Sequence, residues 1–96
     1  MTVLLHPQAE AEFRDAIFWY ERQRQGLGSE FVLSIDEAVE RIRRSPNTYP
    51  KVHKSIRRIV VRRFPFALFY EVVGSQIRVL AIFHSRRDPS RWRTRR

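Results

Sequence analysis

Residues 66–84 read FALFYEVVGSQIRVLAIFH and form the most strongly β-prone segment of the chain. β-branched and aromatic residues dominate both sides of Gly74 and Ser75, and a two-residue connection that begins with glycine is typical of a type II′ hairpin turn. We therefore predict two antiparallel strands, at residues 66–73 and 76–84.

This hairpin predicts two different sheet faces. If the strands pair without interruption from the turn, Phe69 faces Leu80, and one face is apolar enough to receive helices. The other face carries both apolar and polar side chains, namely Phe69, Leu80, Ile82, Glu71, Arg78 and His84. Monomers seldom expose such apolar patches, so either a partner or the C-terminal tail must cover this face, and we expect a partner.

Two amphipathic helices precede the hairpin. Apolar residues recur with helical spacing over residues 9–20 and again over residues 31–42. Pro7 favours the start of the first helix, Gly26 can end it, and Pro46 stops the second. Because few residues separate the two patterns, we predict an antiparallel helix hairpin that packs on the apolar face of the sheet.

The remaining segments complete an α+β fold. Residues 2–6 predict a short N-terminal strand, residues 46–55 a loop, and residues 56–64 (IRRIVVRRF) a further strand. The predicted architecture is an antiparallel helix hairpin on one face of a twisted, mainly antiparallel sheet of about four strands. We expect a single domain over residues 1–96, with a tail that is loosely ordered beyond about residue 92.

Charge is distributed unevenly along the chain. Residues 1–50 carry 6 basic and 8 acidic groups, whereas residues 51–96 carry 13 basic and 2 acidic groups. Arginines outnumber lysines 17 to 2, and the planar guanidinium suits bidentate binding of phosphate or carboxylate. The expected partner is therefore anionic, either nucleic acid, a nucleoprotein or an acidic protein segment; a merely solubilising surface is the alternative.

Several classes of protein are excluded by composition. The chain has no cysteine, which excludes disulfides and thiolate metal sites. No apolar run approaches the roughly 20 residues that span a bilayer, and the N-terminus lacks a signal-peptide pattern. We expect a cytoplasmic protein that does not bind membranes and that needs no cofactor, metal or small-molecule substrate.

Two motifs occur in order on this architecture: F-P-F-x-x-x-Y at residues 64–70 and H-x-R-R-D-P at residues 84–89. With the order of elements, they resemble the RelE/ParE superfamily of bacterial toxins, in the branch described as plasmid stabilisation proteins. The resemblance spans essentially the whole chain. It implies the growth-inhibiting toxin of a type II toxin-antitoxin system, neutralised by a cognate antitoxin whose extended or helical segment wraps the toxin.

The resemblance leaves the target of the toxin open. ParE-like members inhibit DNA gyrase and are not nucleases, whereas RelE-like members cut mRNA in the ribosome. Long paired helices and the chain length resemble the ParE side more closely, so gyrase inhibition is favoured over a ribosome-dependent mRNA endonuclease. A basic nucleic-acid-binding module without toxicity is a further alternative.

The candidate catalytic residues matter only if the chain is a nuclease. Metal-free RNA cleavage needs a base, an acid and cations that stabilise the phosphorane charge. His84 is the best acid-base candidate because histidine titrates near neutrality; a structural role at the strand end is the alternative. The resemblance places further basic catalytic residues in the region of Lys54 and Arg62. The nuclease branch commonly has a tyrosine, or a histidine with a tyrosine, at its C-terminal catalytic position, whereas Ser85 follows His84 here.

Two sets of contact residues are also predicted. Contacts to the target or to nucleic acid are expected at five basic residues: Lys51, Arg57, Arg58, Arg86 and Arg87. Contacts to the antitoxin are expected on the open face of the sheet: Phe69, Leu80, Ile82 and Arg78. Arg78 has a simpler alternative as the cross-strand partner of Glu71, and Trp92 is expected to pack under the edge of the sheet.

Overall fold

The computed structural model describes residues 1–85 and 92–95. Within them, the elements are β1 (Thr2–Leu5), α1 (Pro7–Gln23), α2 (Leu27–Arg44), β2 (Lys51–His53), β3 (Ile56–Val60), β4 (Phe66–Val73) and β5 (Gln76–His84). The sheet order is β1-β5-β4-β3-β2, with β1 parallel to β5 and the other neighbours antiparallel. The predicted α+β architecture is confirmed, and the fifth strand, β2, occupies part of the predicted loop.

Local features of the sequence explain the helix hairpin. Pro7 begins α1, and the His6 side chain caps it by accepting a hydrogen bond from a first-turn backbone N–H at 3.1 Å. Gly26 joins the helices with φ +89°, a conformation that favours glycine. At Gly28 a Cβ would lie 2.9 Å from the carbonyl oxygen of Ile17, so only glycine lets the helices approach this closely. Neither helix of the described chain is long and apolar enough to cross a membrane.

The main core lies between the helices and the sheet. Phe31 of α2 is fully buried at its centre. Its ring centroid lies 5.0 to 6.0 Å from those of four other aromatic rings: Phe13, Tyr20, Phe64 and Phe66. Burial of these large apolar side chains is the principal term that stabilises the helix-sheet packing.

A bulge interrupts the predicted register of the β4-β5 hairpin. From the turn to the pair formed by Tyr70 and Val79, the register is the predicted one. Leu80 is then an extra residue of β5, so Phe69 faces Ala81 and not Leu80. An inserted residue exchanges the two faces for every later side chain of the strand.

The bulge moves Ile82 and His84 to the helix side of the sheet. Ile82 is buried in the main core and faces Leu68, while the His84 ring lies 5.6 Å from the ring of Phe66. The prediction that Ile82 and His84 lie on the far face was therefore wrong. The cause is physical: residues 79–83 of β5 are all apolar, so alternation along this run carries no sign of an inserted residue.

The far face of the sheet is closed by the C-terminal segment. Trp92 is 1% exposed and stacks on Phe69, with 4.3 Å between the ring centroids. Trp92 belongs to a second core on this face, which consists of Ile56, Ala67, Phe69, Leu80, Ala81, Phe83 and Trp92. The prediction that Trp92 packs against the sheet is confirmed. The prediction of an open apolar face was wrong, because the tail covers it.

Burial of Tyr70 should make the free energy of unfolding depend on pH in the alkaline range. It is buried in the main core, its hydroxyl donates to the carbonyl of Pro46 at 2.8 Å, and burial raises the pKa of Tyr70 to about 12. An unfolded tyrosine ionises near pH 10, so between pH 10 and pH 12 the folded chain keeps a proton that the unfolded chain loses. The free energy of unfolding should therefore fall over this window, by up to about 2 kcal/mol.

Urea titrations at several pH values in this window would measure the fall. Tyr70→Phe should reduce the slope, and what remains comes in part from Tyr20, whose pKa burial also raises. An identical slope in Tyr70→Phe and the parent chain would contradict the assignment.

Candidate functional site

A groove with a volume of about 700 Å³ opens between α1 and the end of the β4-β5 hairpin. We call it the α1-β5 groove, and its walls are formed by Glu12, Asp15, Ala16, Trp19, Tyr20, Pro65, Phe66, Ile82 and His84. The α1 residues follow helical spacing, which places them on one stripe that faces the sheet. Trp19 is 51% exposed, so a large aromatic surface remains open to solvent there.

The chemistry of the α1-β5 groove is apolar and acidic. The rings of Trp19 and Tyr20 meet edge to face, with centroids 5.1 Å apart. Glu12 and Asp15 add two carboxylates in a chain whose net charge is +9. A groove of this composition suits an apolar segment that also carries a basic side chain.

The outer edge of β5 runs along the same groove. β1 covers this edge only as far as Val79. Past that point, the backbone N–H of Ile82 donates to Glu12 Oε1 at 3.1 Å, and the carbonyl of Leu80 accepts from Arg95 Nη1 at 3.1 Å. Side chains therefore satisfy backbone groups that a neighbouring strand would satisfy in a longer sheet.

Glu12 and Arg95 form a nearly buried ion pair at this edge. Their side chains are 15% and 9% exposed, and both pairs of atoms, Nη1 with Oε1 and Nη2 with Oε2, are 2.9 Å apart. The guanidinium also lies over the ring of Phe83 at 5.0 Å. No local sequence pattern predicts this pair, since its members are 83 positions apart.

The candidate catalytic residues His84 and Lys54 lie at opposite ends of the sheet. Lys54 is in the β2-β3 turn, where the hydroxyl of Ser55 donates to Glu71 at 3.3 Å. His84 faces Phe66, which is five strand residues away from Glu71. This spacing corresponds to roughly 17 Å, so one phosphate cannot contact both His84 and Lys54.

The arginines that follow β3 are engaged with α2. Arg62 Nη1 lies 3.3 Å from Glu37 Oε2, and Arg63 Nη2 lies 2.7 Å from Glu30 Oε1. Arg63 and Arg24 both donate to Glu30, which holds the pKa of Glu30 below its ordinary value. Arg62, the third candidate catalytic residue, therefore contributes an ion pair to the helix-sheet contact.

The chain is similar to known proteins in sequence and in fold. The family model described as ParE toxin of type II toxin-antitoxin system, parDE, matches residues 3–89. The chain belongs to the ParE toxin family. The ParE-family chain also matches a solved structure, the chromosomal ParDE TA system from P. aeruginosa, with a TM-score of 0.77. The match covers 88% of this chain and 95% of that one at 22% identity, which shows a shared fold, and the curated proteins contain no match.

The predicted target contacts of the ParE-family chain do not form one patch. Arg57 is half-buried and donates to the carbonyl of Tyr49 at 2.6 Å, so it anchors the loop before β2. Lys51 pairs with Arg57 across the strands and shares its face, whereas Arg58 is exposed on the opposite face. Two further predicted contacts lie outside the described residues: Arg86 and Arg87.

Of the predicted antitoxin contacts in the ParE-family chain, only Arg78 is exposed. Phe69, Leu80 and Ile82 are buried within the monomer and offer no surface to a partner, so their expected role as an exposed docking face was wrong. Arg78 faces Glu71 across the strands, as its simpler interpretation predicted. It lines a small cavity of about 210 Å³ on the far face.

Proposed function

We propose that this chain is the toxin of a type II toxin-antitoxin pair and that it inhibits growth by binding DNA gyrase. Membership of the ParE toxin family supports the first statement. The observation that supports gyrase inhibition over RNA cleavage is the distance between His84 and Lys54, which places the acid-base candidate and its cation at opposite ends of the sheet. A toxin that binds its target needs no such cluster, whereas a metal-free nuclease does.

The basic surface is the part that we expect to meet the target. The exposed cations on the sheet and its turns include Lys51, Lys54, Arg58 and Arg78. Gyrase works on DNA, and cations spread over a surface increase the rate and strength of association with an anionic nucleoprotein. This binding should weaken as the salt concentration rises.

The antitoxin is proposed to occupy the α1-β5 groove. This groove is large, is lined by an exposed aromatic side chain, and carries two acidic groups, Glu12 and Asp15. Because α1 also forms one wall of the main core, an occupant would bind a rigid surface and would lose little free energy in ordering it.

A supercoiling assay with purified gyrase tests the proposal, and ribosome-bound mRNA is assayed in parallel. We expect the chain to inhibit supercoiling, to leave the mRNA intact, and to lose inhibition when its antitoxin is added. Removing two sheet cations, Arg58→Ala with Arg78→Ala, should weaken inhibition about tenfold. The matched control removes two exposed helix cations, Arg22→Ala with Arg44→Ala, and should have little effect.

The other outcomes identify the alternatives. Cleaved mRNA, with cleavage lost in His84→Ala, would replace gyrase inhibition by a RelE-like ribosome-dependent endonuclease. Binding to DNA or RNA without growth inhibition would instead indicate a non-toxic nucleic-acid-binding module.

A further inference from the structure

The edge of β5 beyond β1 is capped by side chains. Glu12 accepts a hydrogen bond from the backbone N–H of Ile82, and Arg95 donates to both Glu12 and the carbonyl of Leu80. In an antiparallel pair, the N–H and C=O of one residue point to the same side, so the Ile82 carbonyl also faces the α1-β5 groove. From Leu80 onward, β5 therefore presents the backbone groups that an additional strand would use.

The guanidinium of Arg95 is not fully hydrogen-bonded in the cap, and this favours its displacement. Arg95 Nε is buried and has no hydrogen-bond partner in the described part of the chain. A buried donor without an acceptor costs free energy, because it has lost its hydrogen bonds to water. The closed cap thus satisfies the edge but leaves its own guanidinium incompletely satisfied.

We infer that Glu12 and Arg95 form a removable cap, and that an extended segment of the antitoxin displaces Arg95 and adds to β5 as a strand. This inference rests on the proposed function, which supplies the antitoxin as the partner. Strand addition and the closed cap exclude each other because both require the Leu80 carbonyl and the Ile82 N–H.

The same geometry specifies the chemistry of the segment. Glu12 binds a guanidinium through both oxygens in the free chain, and Asp15 lies beside it in the groove. Displacement of Arg95 leaves the nearly buried Glu12 carboxylate without its cation. The antitoxin segment should therefore carry a basic side chain, arginine above all, that replaces Arg95 at Glu12.

Binding of the purified antitoxin to the full parent chain and to variants of its C-terminal segment tests this inference. In the parent chain the cap competes with the antitoxin, so Arg95→Ala should bind it about tenfold more tightly. The matched control is Arg93→Ala, which removes the same charge from an exposed position in the same segment and should bind like the parent. Arg95→Lys keeps the positive charge but lacks the planar guanidinium that binds both oxygens of Glu12. It replaces Arg95→Ala in the binding measurement if that variant does not fold.

A spectroscopic measurement on the parent chain needs no variant. In ¹⁵N spectra, antitoxin binding should shift the Nε–H signal of Arg95 and the amide signal of Ile82, and it should slow exchange of that amide with solvent. Unchanged signals, or equal or weaker binding by Arg95→Ala compared with Arg93→Ala, would overturn the inference and leave the proposed function standing. Failure of every form to bind would overturn both.

Discussion

Replacement of Trp92 by alanine should lower the free energy of unfolding by about 3–5 kcal/mol. The indole is buried against the far face of the sheet and stacks on Phe69, so its loss removes both the transfer free energy and the stacking contact. A single domain of this size is stabilised by about 5–15 kcal/mol, and the variant should be close to unfolding at physiological temperature. Urea denaturation followed by circular dichroism measures the change.

Trp19→Ala is the matched control for this experiment, since it deletes the same side chain from an exposed position. It should cost less than about 1 kcal/mol. Similar losses in the two variants would mean that the C-terminal segment does not seal the sheet in solution, and the far face would then be open to a partner after all.

Phe31→Ala should destabilise the chain by a similar amount, about 3–5 kcal/mol, but for a different reason. Phe31 lies at the centre of the aromatic cluster between the helices and the sheet, and its removal leaves four rings around a cavity. The cavity cannot collapse easily because Gly28 already brings α1 and α2 into close contact. Differential scanning calorimetry and urea titrations should both report the loss.

Leu33→Ala on the exposed side of α2 is the control, with an expected effect within about 0.5 kcal/mol. A loss below about 1 kcal/mol in Phe31→Ala would contradict the packing of the main core. The effects of Phe31→Ala and Trp92→Ala should add, because the sheet separates the two cores they belong to.

Local sequence patterns were sufficient to predict every element except β2, but pairing between distant elements was not predictable. The helices and the hairpin follow from local signals such as the apolar spacing, Pro7 and the turn at Gly74. The bulge at Leu80 left no trace because it lies in an apolar run, residues 79–83, and it reversed the side on which Ile82 and His84 lie. One inserted residue therefore moved two of the predicted site residues to the other face of the sheet.

The candidate site was only partly predictable for the same reason. The far face of the sheet was correctly predicted to need a covering group. That group is Trp92 of the same chain and not a partner. The α1-β5 groove went unnoticed because its walls come from one helix and the distant end of a hairpin. The cap formed by Glu12 and Arg95 joins the two ends of the chain, and single-sequence reasoning has no signal for such a pair.

The parallel pairing of β1 with β5 has a consequence for synthesis of the protein in the cell. Thr2 pairs with Gln76, so the first strand cannot find its place until most of the chain has left the ribosome. Trp92 and Arg95 come later still along the chain, so the far face and the β5 edge can close only after these residues have left the ribosome. A nascent chain therefore stays incompletely folded, with two sheet surfaces unprotected, until the segment that holds Trp92 and Arg95 has emerged.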